Sequence, residues 1–481
     1  MTGAATTSAW DDPCAIRHAG RELLSVALID SRNRLLRLLA LDESLAMNES
    51  LATNESLAKN ESLAPGELRS RGESLSLGES IPALRRAALA GWYQEYWIAR
   101  HVQRQRGEAC DPSAPRLAGI EPAAERWIEA GQTLPQPQAL RAYLQDTLET
   151  TLDLLASSAE TDAGLCFFRL ALWHEDRLCE AMALGLGAGN PPARPQRPAL
   201  WFPGQRWQLG SPHGGLVPWT ERWAHEVAVP EFEIDAQPVN WSQFVEFADD
   251  GGYDRPELWG DEGWSWLQGL AAQGHGRRAP RDVEQMRGGV LVMRRLDATR
   301  GSPPVQATEQ AAKQAAKPAT EQAPASGPAA GERAPARLAL QRAAAGQPVL
   351  QVSRFEAQAW CTWAGRRLPT EPEWELAACT AESRGFVWGE VLEWVAGRAR
   401  AWPGAGVAPP GHLEAGLGAR LDELAALVEE GAPRGGAPAE RLGVLRGATG
   451  ACHPRWRHPK ARRFARLSDD MGPVGFRSCA F

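Results

Sequence analysis

The residue best placed by type and setting to do chemistry is His174, in the string Trp173-His-Glu-Asp-Arg-Leu-Cys-Glu-Ala181. Phe167, Leu170, Leu178 and Ala181 recur with it at helical spacing, which puts the imidazole on the inward stripe of an amphipathic helix. An imidazole facing a helical core is a recurrent metal-ligand geometry, and equally a recurrent hydrogen-bonded core residue. Helical metal sites commonly place a second ligand four residues on, and that position is Leu178. Glu175 falls roughly 100° around the helix and Glu180 nearly two turns on, so neither spacing sets a carboxylate beside the ring. From these residues alone the metal site is incomplete.

A second concentration of chemistry is the run from His453 to Arg466, where arginines and a lysine alternate with aromatics. It reads either as a cationic loop, solvated or paired with local acids such as Asp469 and Asp470, or as a clamp for an anion or carboxylate. The run Arg366 to Glu375 is different in kind. Pro369 ends an extended segment, Thr370 caps, and Glu373 completes a capping box, which makes this a structural helix start. Trp388 and Trp394, just beyond it, are expected in the core.

The elements that must position these residues are legible from periodicity. Apolar spacing predicts helices over residues 17–41 and 82–106. A third carries the stripe Leu140, Leu144, Leu148, Leu152 and Leu155, and a fourth starts after Asp162 as its N-cap. Four helices with connections of this size predict an antiparallel bundle over residues 1–190. The Pro-rich stretch 191–203 cannot be helix interior and forms a linker. From 204 to 481 the texture changes to short β-like runs broken by Gly, Pro and Trp, which predicts a mixed domain. Three insertions interrupt this plan: tandem hexapeptides within 43–80, an Ala/Pro/Gln/Glu stretch at 300–347, and a Gly/Ala/Pro stretch at 403–442 around the short helical pattern LDELAALVEE. None is expected to carry chemistry. The Asn-x-Ser triplets at Asn48, Asn54 and Asn60 are by-products of the repeat.

Composition bounds the partners. A formal net charge of −7 argues against general nucleic-acid binding. No run of 18 apolar residues exists, so no span of a membrane is expected. The N-terminus lacks a basic segment followed by an apolar core, which gives the expectation of a cytoplasmic protein. The eight Cys form no CxxC pair and are expected to stay reduced there. Twenty Trp against four Tyr point to a folded, aromatic-lined domain.

The strings WAGRRLPTEPEWELAA (363–378), VWGEVLEW (387–394), VLRGA (444–448) and VGFRSC (474–479) resemble the formylglycine-generating-enzyme-like, C-type-lectin-like domain. The stretch from Pro238 to Trp264 is similar to ergothioneine-type sulfoxide synthases, in which such a domain follows a helical bundle of the DinB type. Within that group, residues 91–107, 173–181 and the C-terminal end most resemble the selenoneine synthases. The resemblance implies an α+β fold: a four-helix DinB-like bundle, then the formylglycine-generating-enzyme-like domain. It implies a non-haem Fe(II) oxidoreductase that uses O2 to join selenium or sulfur, from a selenosugar or a thiol, to the imidazole of hercynine. It offers Arg446, Asp470 and Arg477 as substrate-binding candidates. The family's three iron ligands would fall at Leu89, His174 and Leu178, so only His174 is retained, and His101, further along its helix, falls at none of them. The C-terminal-domain Tyr that acts as proton donor in the ergothioneine branch has no counterpart, since no Tyr follows Tyr253. The alternative implied by these departures is a catalytically impaired relative.

Overall fold

The computed structural model of the chain describes residues 9–58, 81–129, 132–281, 283–287, 290–296, 338–412 and 442–481. Most of the 300–347 insertion, the repeat copies beyond Ala58 and the LDELAALVEE pattern lie outside the described residues.

The expected first helix is two helices. Asp12 accepts hydrogen bonds from the amides of Cys14 and Ala15, and Pro13 occupies the first helical position, so α1 is short and capped (Pro13–Arg17). After a break at Gly20, α2 runs over Arg21–Ala58 rather than ending at 41. No Gly or Pro interrupts those residues, and the repeat copies are rich in Leu, Ala and Glu, so the helix continues through them. The second expected helix is shorter than 82–106. It forms as α3 (Ala83–Gln94) and passes into a π-helical turn, Glu95–Ala99. The buried Glu95 carboxylate there accepts from the Tyr143 hydroxyl at 2.6 Å and the Ile120 amide at 3.0 Å. His101 then pairs its backbone with Arg116, which takes the chain out of the helical path.

Short α4 (Ala124–Ile128) precedes α5 (Pro137–Ala156), whose Leu140, Leu144 and Leu155 are fully buried. The cap of α6 (Asp162–Gly185) is Thr161, which accepts from the Gly164 amide at 3.1 Å. Asp162, the expected cap, is instead the first helical residue, and its carboxylate holds Arg169 at 2.7 Å. Helix α2 packs on α5 and α6, and α3 packs on the same two. No helix is long and apolar enough to cross a membrane among the described residues.

The C-terminal part is mixed. Strands β1 (Leu200–Phe202) and β4 (Phe232–Ile234) pair antiparallel around the hairpin of β2 (Gln205–Leu209) and β3 (His225–Val229). Helices α7 (Trp241–Asp249) and α8 (Gly260–Ala272) precede the antiparallel strands β5 (Val283–Arg287), β6 (Val290–Leu296) and β7 (Leu338–Arg342). Two more helices, α9 (Arg354–Trp363) and α10 (Glu371–Thr380), both begin with formed capping boxes, Ser353 with Glu356 and Thr370 with Glu373. The last sheet has strand order β10-β9-β8-β11: β8 (Leu392–Trp394), β9 (Leu442–Gly447), β10 (Arg462–Arg466) and β11 (Val474–Phe476), with β8 and β11 parallel.

Trp241, Trp374 and Trp394 are fully buried, so these aromatics make the core. The apolar cluster around Ile16, Leu24 and Phe167 also takes in Leu216, Ala448, Cys452 and Trp456. The helical part and the C-terminal part therefore share a core where they meet.

Candidate functional site

Helix α6 carries three successive polar residues, His174, Glu175 and Asp176, into that shared region, and each is buried. The His174 ring stacks on Tyr93 of α3 with centroids 4.5 Å apart, and its Nδ1 has no hydrogen-bond partner among the described residues. Burial, with Arg177 nearby, holds its pKa down to about 3, so the imidazole is neutral. The neighbouring carboxylates face elsewhere. Glu175 accepts from Arg32 Nε and Nη2 at 2.8 and 2.9 Å and from Gln94 at 2.9 Å. Asp176 accepts from Ser31, Arg455 and Trp456 at 2.6–2.8 Å. Glu180 accepts from Thr449 at 2.6 Å and from Arg463 at 2.9 Å. Burial alone would raise the Glu180 pKa, but Arg463 and Arg177 hold it low.

Leu178 packs against the apolar cluster of Leu35, Leu39 and Ala87, and Leu89 is half-buried. Neither can donate a lone pair. Among the described residues no three His, Cys, Asp or Glu are grouped to hold a metal ion. The donor set around His174 does not fit a protein-bound Fe(II), because one imidazole supplies a single bond where a facial set is needed.

The basic run is turned inward, which corrects the reading of it as a solvated loop, while of the local acids Asp469 accepts from the Arg466 amide at 2.9 Å. Arg455 reaches Asp176 at 2.6 Å and Asp30 at 2.8 Å, Arg463 reaches Glu180, and Arg462 reaches Glu371 at 2.6 Å. Its guanidinium groups hold the protein's own carboxylates on α2, α6 and α10. The substrate-binding candidates are placed apart. Arg446 pairs with Glu375 at 2.6 Å and Arg477 with Glu393 at 2.5 Å, all four side chains fully buried. Asp470 accepts from Arg277 at 2.6 Å and Arg281 at 2.9 Å. Among the described residues nothing brings these three to His174.

What lies beside His174 was not singled out from the sequence. The Tyr93 hydroxyl donates to the Gly411 carbonyl at 2.6 Å, and Gly411 packs so closely on Phe167 that a Cβ there would come within 2.8 Å of the ring. His412 follows, with its Nε2 2.9 Å from the Glu108 carboxylate. Arg222 donates to the same carboxylate at 2.8 Å and to the Val217 carbonyl at 2.9 Å. Residues 403–412 belong to the stretch expected to be an insertion, and of these Gly411 and His412 dock on residues of the helical part. The only signal available was a lone His in a Gly/Pro-rich stretch.

This contact is expected to weaken in acid. Burial alone would raise the Glu108 carboxyl, but His412 and Arg222 draw it down to about 2 from 4.5, so its contribution is present above pH 4.5 and lost as pH falls toward 2. Burial holds His412 below its ordinary 6.5, so protons taken up by the unfolded chain below pH 6.5 also favour unfolding. Urea midpoints measured from pH 7 to pH 3 should fall steadily in the wild type. In Glu108→Gln the limb below pH 4.5 should flatten, and an unchanged limb would refute the assignment.

Comparison with known families matches residues 192–406 to the Sulfatase-modifying factor enzyme 1-like domain. Hercynine oxygenase from Mycolicibacterium smegmatis is 29% identical over 333 residues, 64% of this chain and 64% of that protein. Hercynine oxygenase from Mycobacterium tuberculosis is 28% identical over 332 residues, 64% of this chain and 65% of that protein. The chain thus spans just under two thirds of the length of these relatives. Among solved structures, PvdO from Pseudomonas aeruginosa aligns with 58% of this chain and 93% of its own at 15% identity and a TM-score of 0.27. Residues 192–406 thus match a Sulfatase-modifying factor enzyme 1-like domain, and the chain as a whole is similar to the hercynine oxygenases.

Proposed function

We propose that this chain binds hercynine at the face between its helical and C-terminal parts, and that it is a catalytically impaired relative of enzymes that join sulfur or selenium to that imidazole. The observation that carries this reading is the donor set at His174: Leu89 and Leu178 stand at the other two positions, and the nearby acids are committed to arginines. Hercynine as the ligand is supported by the relatives named hercynine oxygenase.

In this reading α2, α3, α5 and α6 form a DinB-like four-helix bundle over residues 1–190; the linker expected over 191–203 is shorter, because β1 at Leu200–Phe202 already pairs with β4 and so belongs to the C-terminal domain. The likeness of residues 91–107 and 173–181 to the selenium branch makes a selenosugar, rather than a thiol, the second ligand to test. The protein would act in the cytoplasm on small molecules.

The test is calorimetric titration of the full-length protein with hercynine, alongside hercynine-dependent O2 consumption after Fe(II) loading. Binding without turnover is the expected result. Stoichiometric tight iron with O2 consumption would overturn the impaired reading, and absence of hercynine binding would overturn the ligand.

A further inference from the structure

His412 is buried, yet only one of its ring nitrogens is used. Nε2 lies 2.9 Å from a Glu108 oxygen, and an ionised carboxylate can only accept, so Nε2 carries the proton. Arg222 Nη2 lies 3.3 Å from the same nitrogen, but a guanidinium N–H cannot accept and Nε2 has no free lone pair to offer it. Arg222 instead spends its donors on Glu108 and on the Val217 carbonyl. The tautomer is thereby fixed, and Nδ1 is left as a bare lone pair. That nitrogen is buried and has no partner among the described residues.

A carboxylate that orients an imidazole so that its other nitrogen is basic is the arrangement by which histidines are presented to a ligand. Its location agrees. Gly411, the preceding residue, receives the Tyr93 hydroxyl, and Tyr93 stacks on His174, whose Nδ1 is also unpartnered. We infer that His412 is a specificity residue whose Nδ1 accepts a hydrogen bond from an N–H donor of a small molecule bound beside Tyr93. Glu108 is the positioning residue that holds the ring for it. The inference rests on the reading that this face binds hercynine, whose imidazole supplies such a donor.

The discriminating variant is His412→Gln, whose amide N–H can still reach Glu108 while no acceptor remains at the Nδ1 position. Full-length wild type and variant are titrated with hercynine by calorimetry, and the wild-type imidazole nitrogens are followed by 15N NMR. The variant should keep the wild-type melting curve and bind about tenfold or more weakly. The His412 Nδ1 resonance should move on saturation in the wild type, a response that a merely structural histidine would not give. Hercynine binding that is equal in both proteins, or a Nδ1 resonance unmoved at saturation, overturns the role of His412 and leaves the proposed function standing. If the wild type binds no hercynine, the proposed function fails on its own. Titration with 4-methylimidazole then decides the role of His412: a moving Nδ1 resonance supports it and a static one overturns it.

Discussion

Replacing Glu393 with Ala is expected to lower the free energy of unfolding by about 3–5 kcal/mol, because it strands a charge in the centre of the C-terminal part. The Glu393 carboxylate accepts from Arg477 Nε at 2.5 Å and Nη2 at 2.8 Å, and from the Trp374 indole at 3.0 Å. Both Glu393 and Arg477 are 0% exposed. Arg477 keeps two backbone acceptors, the carbonyls of Asp235 and Val387, but these are neutral and cannot balance a buried guanidinium. The Phe386 ring, 3.9 Å from the guanidinium, adds a cation–π contact of smaller size. Replacing both partners with apolar residues, Glu393→Leu with Arg477→Met, should recover much of the loss, since the desolvation cost disappears with the charges. Chemical denaturation of the two single variants and the double variant completes the cycle. A Glu393→Ala loss below about 1 kcal/mol would mean that water reaches Arg477 and that the pair is not the buried unit described.

The parts of the fold that could be read from sequence are those whose causes are local. A stripe such as Leu140, Leu144 and Leu155 states its own burial, because residues three and four apart share a helix face. The Thr370 capping box was equally plain, since both partners lie within four residues. Helix ends were misjudged where distant groups decide them. Tyr143 and Ile120 hold Glu95 at the π-helical turn, and neither belongs to that helix.

The same logic explains the site. His174 was visible from the helical pattern and from the family strings. The basic run looked like a loop because its counter-charges are far off in sequence: Asp176 is 279 residues from Arg455, and Glu180 is 283 from Arg463. His412 takes its meaning from Glu108, 304 residues away, and the residues just before it are Ala408, Pro409, Pro410 and Gly411. Local composition described the stretch correctly and said nothing about what it docks against.

Placing histidines at both positions that the family resemblance marks as ligand positions, Leu89→His with Leu178→His, is expected to raise Fe(II) affinity by about a hundredfold or more over the wild type. The wild-type protein offers one neutral imidazole at His174, and a single bond gives little advantage over water. Helices α3 and α6, which carry Leu89 and Leu178, pack against each other, so rings added at those positions would be held by the same packed pair. Each single variant adds one donor but leaves the set incomplete, and so should gain far less. The double variant should gain more than the product of the singles, because the second and third bonds form to an ion already held in place. The substitutions carry a cost that gives a second readout. Leu178 packs against an apolar cluster, and a polar ring there without a partner should destabilise the metal-free protein by about 1–3 kcal/mol. Fe(II) should return that stability, since an ion that binds only the folded state shifts the unfolding midpoint upward with concentration. Anaerobic iron titration and urea midpoints with and without Fe(II) test both statements on the same samples. Equal gains in the single and double variants, or tight iron in the unmodified chain, would mean that the two leucines do not occupy ligand positions.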